Sequence, residues 1–402
     1  MKVSLGFSLY KNGIGDYFTL DDSTKGALNN ATYTLAGDVL VDVTSDVRTI
    51  QIKRGRNRQL GRFTAGAANL VLSNASRKYD PLNTASPYFG SIVPGKQAVI
   101  EHNGYTLYTG NVADWNLDYD LGGDNTAQVS CTDGLATIAN QTIAAGTASA
   151  ELSGTRINTT LNALGWPTAS RAISAGGATL AADVVADNTN AVTYLTKAVD
   201  SDPGALFVSA DGLMTFRDRN DLQAFTSGAT FGPSAIPFVD VEVEYGAETL
   251  YPTVSVNYWG GTAVAQVSST DTTAVRDYGD SELLVDTLLG NATDASRLAT
   301  YLMSKYANPV YRINSLTFAL HGLSVPQSQT VLAQELGDMI LVDGWAPGGV
   351  GAPISQYLTI EGIEHQADPS QHFVTFTLSE TAASFQLDSA AFGVLDDDQL
   401  GF

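Results

Sequence analysis

Cysteine occurs once in 402 residues, at Cys131, so an intramolecular disulfide is excluded. The thiol stands in the alternating segment AQVSCTD with no histidine or basic residue beside it. It reads as a small buried apolar side chain rather than a nucleophile. Histidine occurs four times, at His102, His321, His365 and His372, without an HExxH pattern or any Cys–His spacing for a metal. His365 and His372 flank a turn holding Asp368, and a hairpin there would bring them together as a pair of strand-end histidines. No apolar run reaches the roughly 18 residues of a membrane span. The amino terminus carries Lys2 but no continuous apolar segment, so a signal peptide is not expected. There is no GxxxxGKS or GxxxxGKT phosphate loop, no GxSxG elbow and no GxGxxG after a strand. The glycine-rich stretch 345–353 lies between strands, where no helix N-terminus would meet a phosphate. It reads as a long hairpin loop with Trp345 at its root, a candidate contact surface.

Positive charge is also scarce. Lys and Arg total 21 against 42 Asp and Glu, a net charge of −21. That balance opposes binding to nucleic-acid phosphates and docking on anionic membrane. It serves solubility, or it lines a passage through which DNA slides without sticking. Against this background six basic residues crowd together: Arg48, Lys53, Arg54, Arg56, Arg58 and Arg62. They could contact nucleic acid, or sit on a solvated strand end. Pairing with the acidic surface of a neighbouring subunit fits better, because arginine forks suit interfacial carboxylates. Acidic pairs such as Asp21 and Asp22, Asp218 and Asp221, and Asp396 to Asp398 are unavoidable with so many acids. A glycosidase needs two carboxylates flanking one cleft, and no twelve-residue calcium loop accompanies them. No catalytic residue, cofactor or metal is expected.

Taken in order, the chain opens with an alternating segment and a turn-rich passage. About six short strands then follow over 37–132. Asn103-Gly104 between two of them is a strong hairpin signal. The stretch from Arg54 to Gly95 stands apart, because a long loop over 75–95 carries Tyr79, Tyr88, Phe89 and Ile92. A flexible linker would hold Gly and Ser without aromatics, so this loop packs against something. Residues 133–237 read as an α+β module. Helices are expected over 155–166 and 190–200, the second capped by Thr189, and two strands turn at Asp211-Gly212. Residues 238–385 return to strands around one helix, 294–307, capped by Thr293 or Asp294. Residues 386–402 form a tail.

Two distant regions echo each other. In each, a strand is followed by a turn, an aromatic-led strand with an internal glycine (Gly110 and Gly362), and one more alternating strand. A glycine inside a strand marks a bulge or a close backbone approach. The pair suggests a duplicated small β-barrel, though chance similarity between hairpins would look the same. The predicted fold is therefore mainly β with a smaller α+β part, two small barrels flanking the module.

Several segments carry a family likeness in order: GDVLVDVTSDV (37–47), RGR (54–56), AGAANLVLSN (65–74), YDPLN (79–83), SPY (86–88), Pro94-Gly95 and LYTGNVADW (107–115). Together they resemble the amino-terminal region of minor tail proteins from long-tailed bacteriophages, the baseplate hub group. The resemblance implies tail-tube-like barrels and a homotrimer at the distal end of the virion tail, made in the host cytoplasm. It also implies a role in host attachment and DNA passage. Implied partners are the distal tail protein, the tape measure protein and fibre or receptor-binding proteins. Genomic DNA would pass without specific binding, and no membrane anchor is implied. Expected subunit-interface residues are Arg54, Arg56, Arg58, Arg62, Tyr79, Tyr88, Phe89, Trp345 and Phe392. Competing readings are a distal adaptor ring, a tail peptidoglycan hydrolase, and a carbohydrate-binding module using Trp115, Trp259 or Trp345.

Overall fold

Alternation in sequence becomes alternation in burial. In the strand Val47–Gly55 the side chains of Ile50 and Ile52 point inward, while Thr49, Gln51 and Lys53 face out, as the period of two requires. The computed structural model describes residues 1–8, 23, 39–56, 62–223, 229–246, 250–261, 263–349, 351 and 353–381.

The amino-terminal strands are β1 (Lys2–Phe7), β2 (Val39–Asp42), β3 (Val47–Gly55), β4 (Thr64–Ser73), β5 (Gln97–His102), β6 (Tyr105–Asp118) and β7 (Thr126–Thr132). The middle of the chain adds β8 (Ala205–Val208), β9 (Met214–Arg217), β10 (Thr230–Phe231), β11 (Asp240–Glu244), β12 (Thr253–Trp259), β13 (Val264–Thr270) and β14 (Glu282–Asp286). The last strands are β15 (Arg312–Ala319), β16 (Met339–Trp345), β17 (Ile354–Ala367) and β18 (His372–Glu380). Short ladders of two or three residues link parts of the central module. The helices are α1 (Gly134–Ala139), α2 (Ser153–Ala163), α3 (Ala191–Asp200), α4 (Arg219–Gln223), α5 (Thr272–Tyr278), α6 (Ala292–Tyr306) and α7 (Val325–Leu332).

The protein is mainly β. One large sheet runs in the order β11-β15-β18-β17-β3-β4-β7-β6-β5-β1-β2, with β16 and β10 branching from β17. Two separate barrels were expected. Among the described residues no pairing closes a ring, and β3 pairs antiparallel with β17, so early and late strands share one open sheet. One apolar core follows it, from Val3, Leu5 and Phe7 to Phe318, Val374 and Phe376. The physical reason is that β17 is long. Its first half pairs with β16 and its second half with β3, which links the two sets of strands.

The echo is present as topology. β5-β6-β7 and β16-β17-β18 are both antiparallel meanders with a glycine in the central strand. The Asn103-Gly104 turn has positive φ at both residues, 49° and 86°, as a type I′ turn demands.

The module between these strands has its own core. Ile157 and Leu161 of α2 meet Tyr194, Leu195 and Ala198 of α3 and Met214 and Phe216 of β9. Both expected helices are there, and the caps of α3 and of the later helix α6 are shifted. Asn190, not Thr189, accepts the backbone N–H of Thr193 at 3.0 Å. Asn291, ahead of Thr293, accepts from Asp294 at 2.8 Å. Asparagine presents its carbonyl oxygen to the third helical N–H as well as Thr or Asp does, so side-chain type alone left the choice open. Helix α7 was not anticipated, although Ser324 and Gln327 form a capping box ahead of it.

Candidate assembly site at the Arg54–Arg56 junction

The motif Arg54-Gly55-Arg56 ends β3 where β3 crosses β17. Gly55 lies opposite Gly362, at φ +95°, and a Cβ there would sit 2.2 Å from the carbonyl oxygen of Glu361. Gly362 is equally confined, because its Cβ would meet the Arg56 carbonyl at 2.8 Å. A bulge between Ile360 and Gly362 accompanies the crossing, so the strand glycine marks a close approach, as expected. Two glycines let the backbones touch, and the flanking arginines bind what lies beside them.

Arg56 donates from its backbone N–H to the Glu361 carbonyl at 2.9 Å, and its guanidinium meets the Glu361 carboxylate at 2.7 Å. The same guanidinium lies 4.7 Å over the Phe63 ring. The second oxygen of Glu361 accepts from Ser379 of β18 at 2.6 Å. Arg54 is 5% exposed and pairs with Glu335 at 2.7 Å. Glu335 also accepts the Ala210 N–H at 2.8 Å, which ties in the β8–β9 turn. Asp338 accepts Arg217 of β9 at 2.8 Å. The junction thus joins β3, β17, β18 and the central module through buried or half-buried ion pairs.

Arg54 and Arg56 were expected to face a neighbouring subunit. Their carboxylate partners are instead within the chain, since the sheet brings residues about 300 apart in sequence side by side. Arg62 is exposed and lines a cleft of about 430 Å³ with Asp200, Arg219, Lys305 and Tyr306. Burial pushes the Asp200 carboxyl up to about 6, with Arg62 and Arg56 opposing. Arg58 and Phe392 lie outside the described residues.

The loop over 75–95 is ordered by its own turns. Backbone bonds step along it from Arg77 to Asn74, Asp80 to Arg77, Asn83 to Asp80, Ser86 to Asn83 and Phe89 to Ser86. Tyr88 stacks on Phe7 of β1 with centroids 3.9 Å apart, and Tyr79 stacks on Trp115 of β6 at 6.0 Å. The loop does pack against something, and that something is β1 and β6 of the same chain. Tyr79 and Tyr88 are therefore buried where an interface role was expected, while Phe89 is 36% and Leu82 81% exposed. Trp345 is half-buried, edge-on to Phe238. Cys131 is buried, and burial pushes its thiol up to about 12.

Tyr79 donates to Asp46 at 2.6 Å, and Lys78 donates to the same oxygen at 2.8 Å. Burial opposes the ionised form of Asp46, but these two hydrogen bonds hold its carboxyl below the ordinary range. Tyr79→Phe should cost about 1.5–2 kcal/mol, the worth of a hydrogen bond to a charged group. A urea melt reads this directly, and a loss under about 0.5 kcal/mol would mean that Lys78 alone satisfies Asp46.

Sequence reasoning missed Glu335, Asp338 and Glu361 as partners, because nothing local distinguishes them from the other acids. The free sheet edges were not anticipated either. Among the described residues β2 pairs only with β1, and β11 only with β15. The β2 edge is apolar, with Val39 51% and Leu40 46% exposed. The β11 edge carries Asp240, Glu242 and Glu244.

This architecture recurs in solved structures. The 43 kDa tail protein of prophage MuSo2 from Shewanella oneidensis matches at 13% identity over 94% of this chain and 98% of its own, with a TM-score of 0.60. The tail protein from Neisseria meningitidis MC58 matches at 11% identity over 86% and 94%, with a TM-score of 0.61. This chain has a phage tail-protein fold. Prophage tail protein gp18 from Listeria monocytogenes EGD-e shares it at 11% identity over 95% of both chains, with a TM-score of 0.50. No family model matches the sequence, and no curated protein matches it. The likeness is one of fold, at identities where few side chains coincide.

Proposed function

We propose that this chain is a structural subunit of a phage tail tip, the baseplate hub that caps the tail tube, assembled as a homotrimer. The supporting observation is the sheet itself: a tail-protein fold in which, among the described residues, two unlike edge strands each have one neighbour. An apolar β2 edge on one copy and an acidic β11 edge on another are different surfaces, so contact between them is heterologous and closes into a ring when the rotation permits. The net charge of −21 suits a wall past which DNA slides without binding. In this reading the neighbours are a distal tail protein, a tape measure protein and fibre or receptor-binding proteins. Phe89, Leu82 and Trp345 are contact candidates because they keep exposed or half-exposed apolar surface. The role is non-catalytic.

Native mass measurement of the purified chain tests the stoichiometry. Three copies are expected, and six would favour an adaptor ring. Leu40→Lys places a charge on the β2 edge and should shift the population to monomer while changing monomer stability by no more than about 0.5 kcal/mol. An unchanged oligomer would remove β2 from the interface. Clearing of purified cell wall by the protein would overturn the non-catalytic reading.

A further inference from the structure

All four histidines of the chain gather at one place, though they come from four separate points in the sequence. His102 ends β5, His321 lies in the turn Leu320–Gly322, His365 is in β17 and His372 begins β18. His365 Nδ1 and His372 Nε2 are 3.2 Å apart. The rings of His102 and His372 meet edge to face at 5.1 Å, and His321 stands edge-on to Phe373 at 5.2 Å. His102, His321 and His372 line a cavity of about 480 Å³ together with Val3, Leu320 and Leu323. His365 and His372 are only 3% and 7% exposed. Among the described residues, the buried Nδ1 atoms of His102 and His372 have no hydrogen-bond partner.

We propose that this cluster is an acid-released latch on the seam between the β5–β6 hairpin and the β17–β18 hairpin. Neutral imidazoles pack there and hold the two hairpin tips together. A proton on the buried pair would place a charge beside other positive groups, out of water. The charged groups facing the cluster are few. Met1 contributes its α-amino group, and Arg54 of β3 adds a positive charge near His365. Asp368, in the β17–β18 turn, directs its carboxylate to Ser370 and Gln371. Glu101 of β5 is taken by Lys2 of β1, and no charged side chain of α7 lines the cavity. Protonation of the buried pair therefore adds charge beside positive neighbours, and the one carboxylate among the lining residues, Asp368, faces His321 and is bonded within its own turn.

The sign of the effect follows. Burial and the neighbouring imidazoles and cations depress both members: His365 goes well below its ordinary value and His372 down to about 3. The unfolded chain takes up protons near pH 6.5 while the folded chain does not. Stability is thus fully present above about pH 6.5 and is lost as pH falls below it. Each histidine lowers the folding constant about tenfold per pH unit, so the pair lowers it up to about a hundredfold.

The test is the folding constant of the full chain from pH 7.5 to 4.5 by denaturant melts. His365→Gln with His372→Gln should flatten the slope below pH 6.5 by up to two protons. Amides at 102–105 and 367–373 should gain exchange on acidification more than those of β12. An unchanged slope in the double variant, or uniform exchange, overturns the latch. Should the double variant fail to fold, the imidazole resonances of the wild-type protein decide. Two of four that do not titrate down to pH 5 support the latch, and four titrating near 6.5 sink it.

Discussion

Gly55→Ala is expected to lower the folding free energy by about 4 kcal/mol, combining a left-handed backbone at a non-glycine residue with overpacking. The added methyl would sit 2.2 Å from the Glu361 carbonyl and 2.8 Å from a Leu336 methyl. Backbone on one side and core on the other give it no room. Gly95→Ala is the control, because Gly95 also has positive φ, +83°, but nothing lies within 4 Å of its Cβ. That variant should lose only about 1–2 kcal/mol, the cost of the left-handed conformation alone. Urea melts of both variants separate the two contributions. Equal losses would mean that the β3–β17 crossing is not tight and that φ accounts for everything.

Glu361→Gln should cost about 3–5 kcal/mol while keeping the shape of the side chain. It removes the Glu361 carboxylate from the mostly buried Arg56 guanidinium, 18% exposed, and breaking one side of a buried pair is strongly destabilising. Replacing both partners by Met should recover most of that loss, since the pair gains little over apolar packing once desolvation is counted. Lys2→Ala removes one partner of an exposed pair, with Lys2 56% exposed, and should change stability by less than about 1 kcal/mol. A double-mutant cycle across Arg56 and Glu361 measures the coupling. A coupling near zero would mean that water reaches the pair and screens it.

Much of the secondary structure was legible because it is written locally. The period of two in β3, β4 and β7, the Asn103-Gly104 turn and the helical spacing in α2, α3 and α6 each need only neighbouring residues. The aromatic content of 75–95 likewise told that the loop packs, and Gly362 told that backbones meet. What was not legible was the partner in each case. Tyr88 could have stacked on another subunit as readily as on Phe7, and Arg56 could have met any of 42 acids. Which acid it meets depends on strand register across some 300 residues, and no local pattern encodes that. The same gap hid how the two meanders join: each reads correctly alone, and the β3–β17 pairing that links them in one sheet has no sequence signature. His365 and His372 were expected to meet across their turn and do. That His102 and His321 join them is again a matter of tertiary register.

The pairing of β3 with β17 sets the order of events during synthesis. β3 is complete at residue 55, but its partner residues on β17 are 362–367. At about 5–20 residues per second, that edge waits roughly 15–60 s for the rest of the chain. An unpaired strand in a nascent chain is an invitation to the wrong neighbour, and charge along it is a known deterrent. β3 carries Arg48, Lys53 and Arg54, with Arg56 just beyond it. Until Glu335 and Glu361 are made, the charges of Arg54 and Arg56 have not met the carboxylates they pair with in the folded chain, and like charge along the strand disfavours its pairing with a second growing chain.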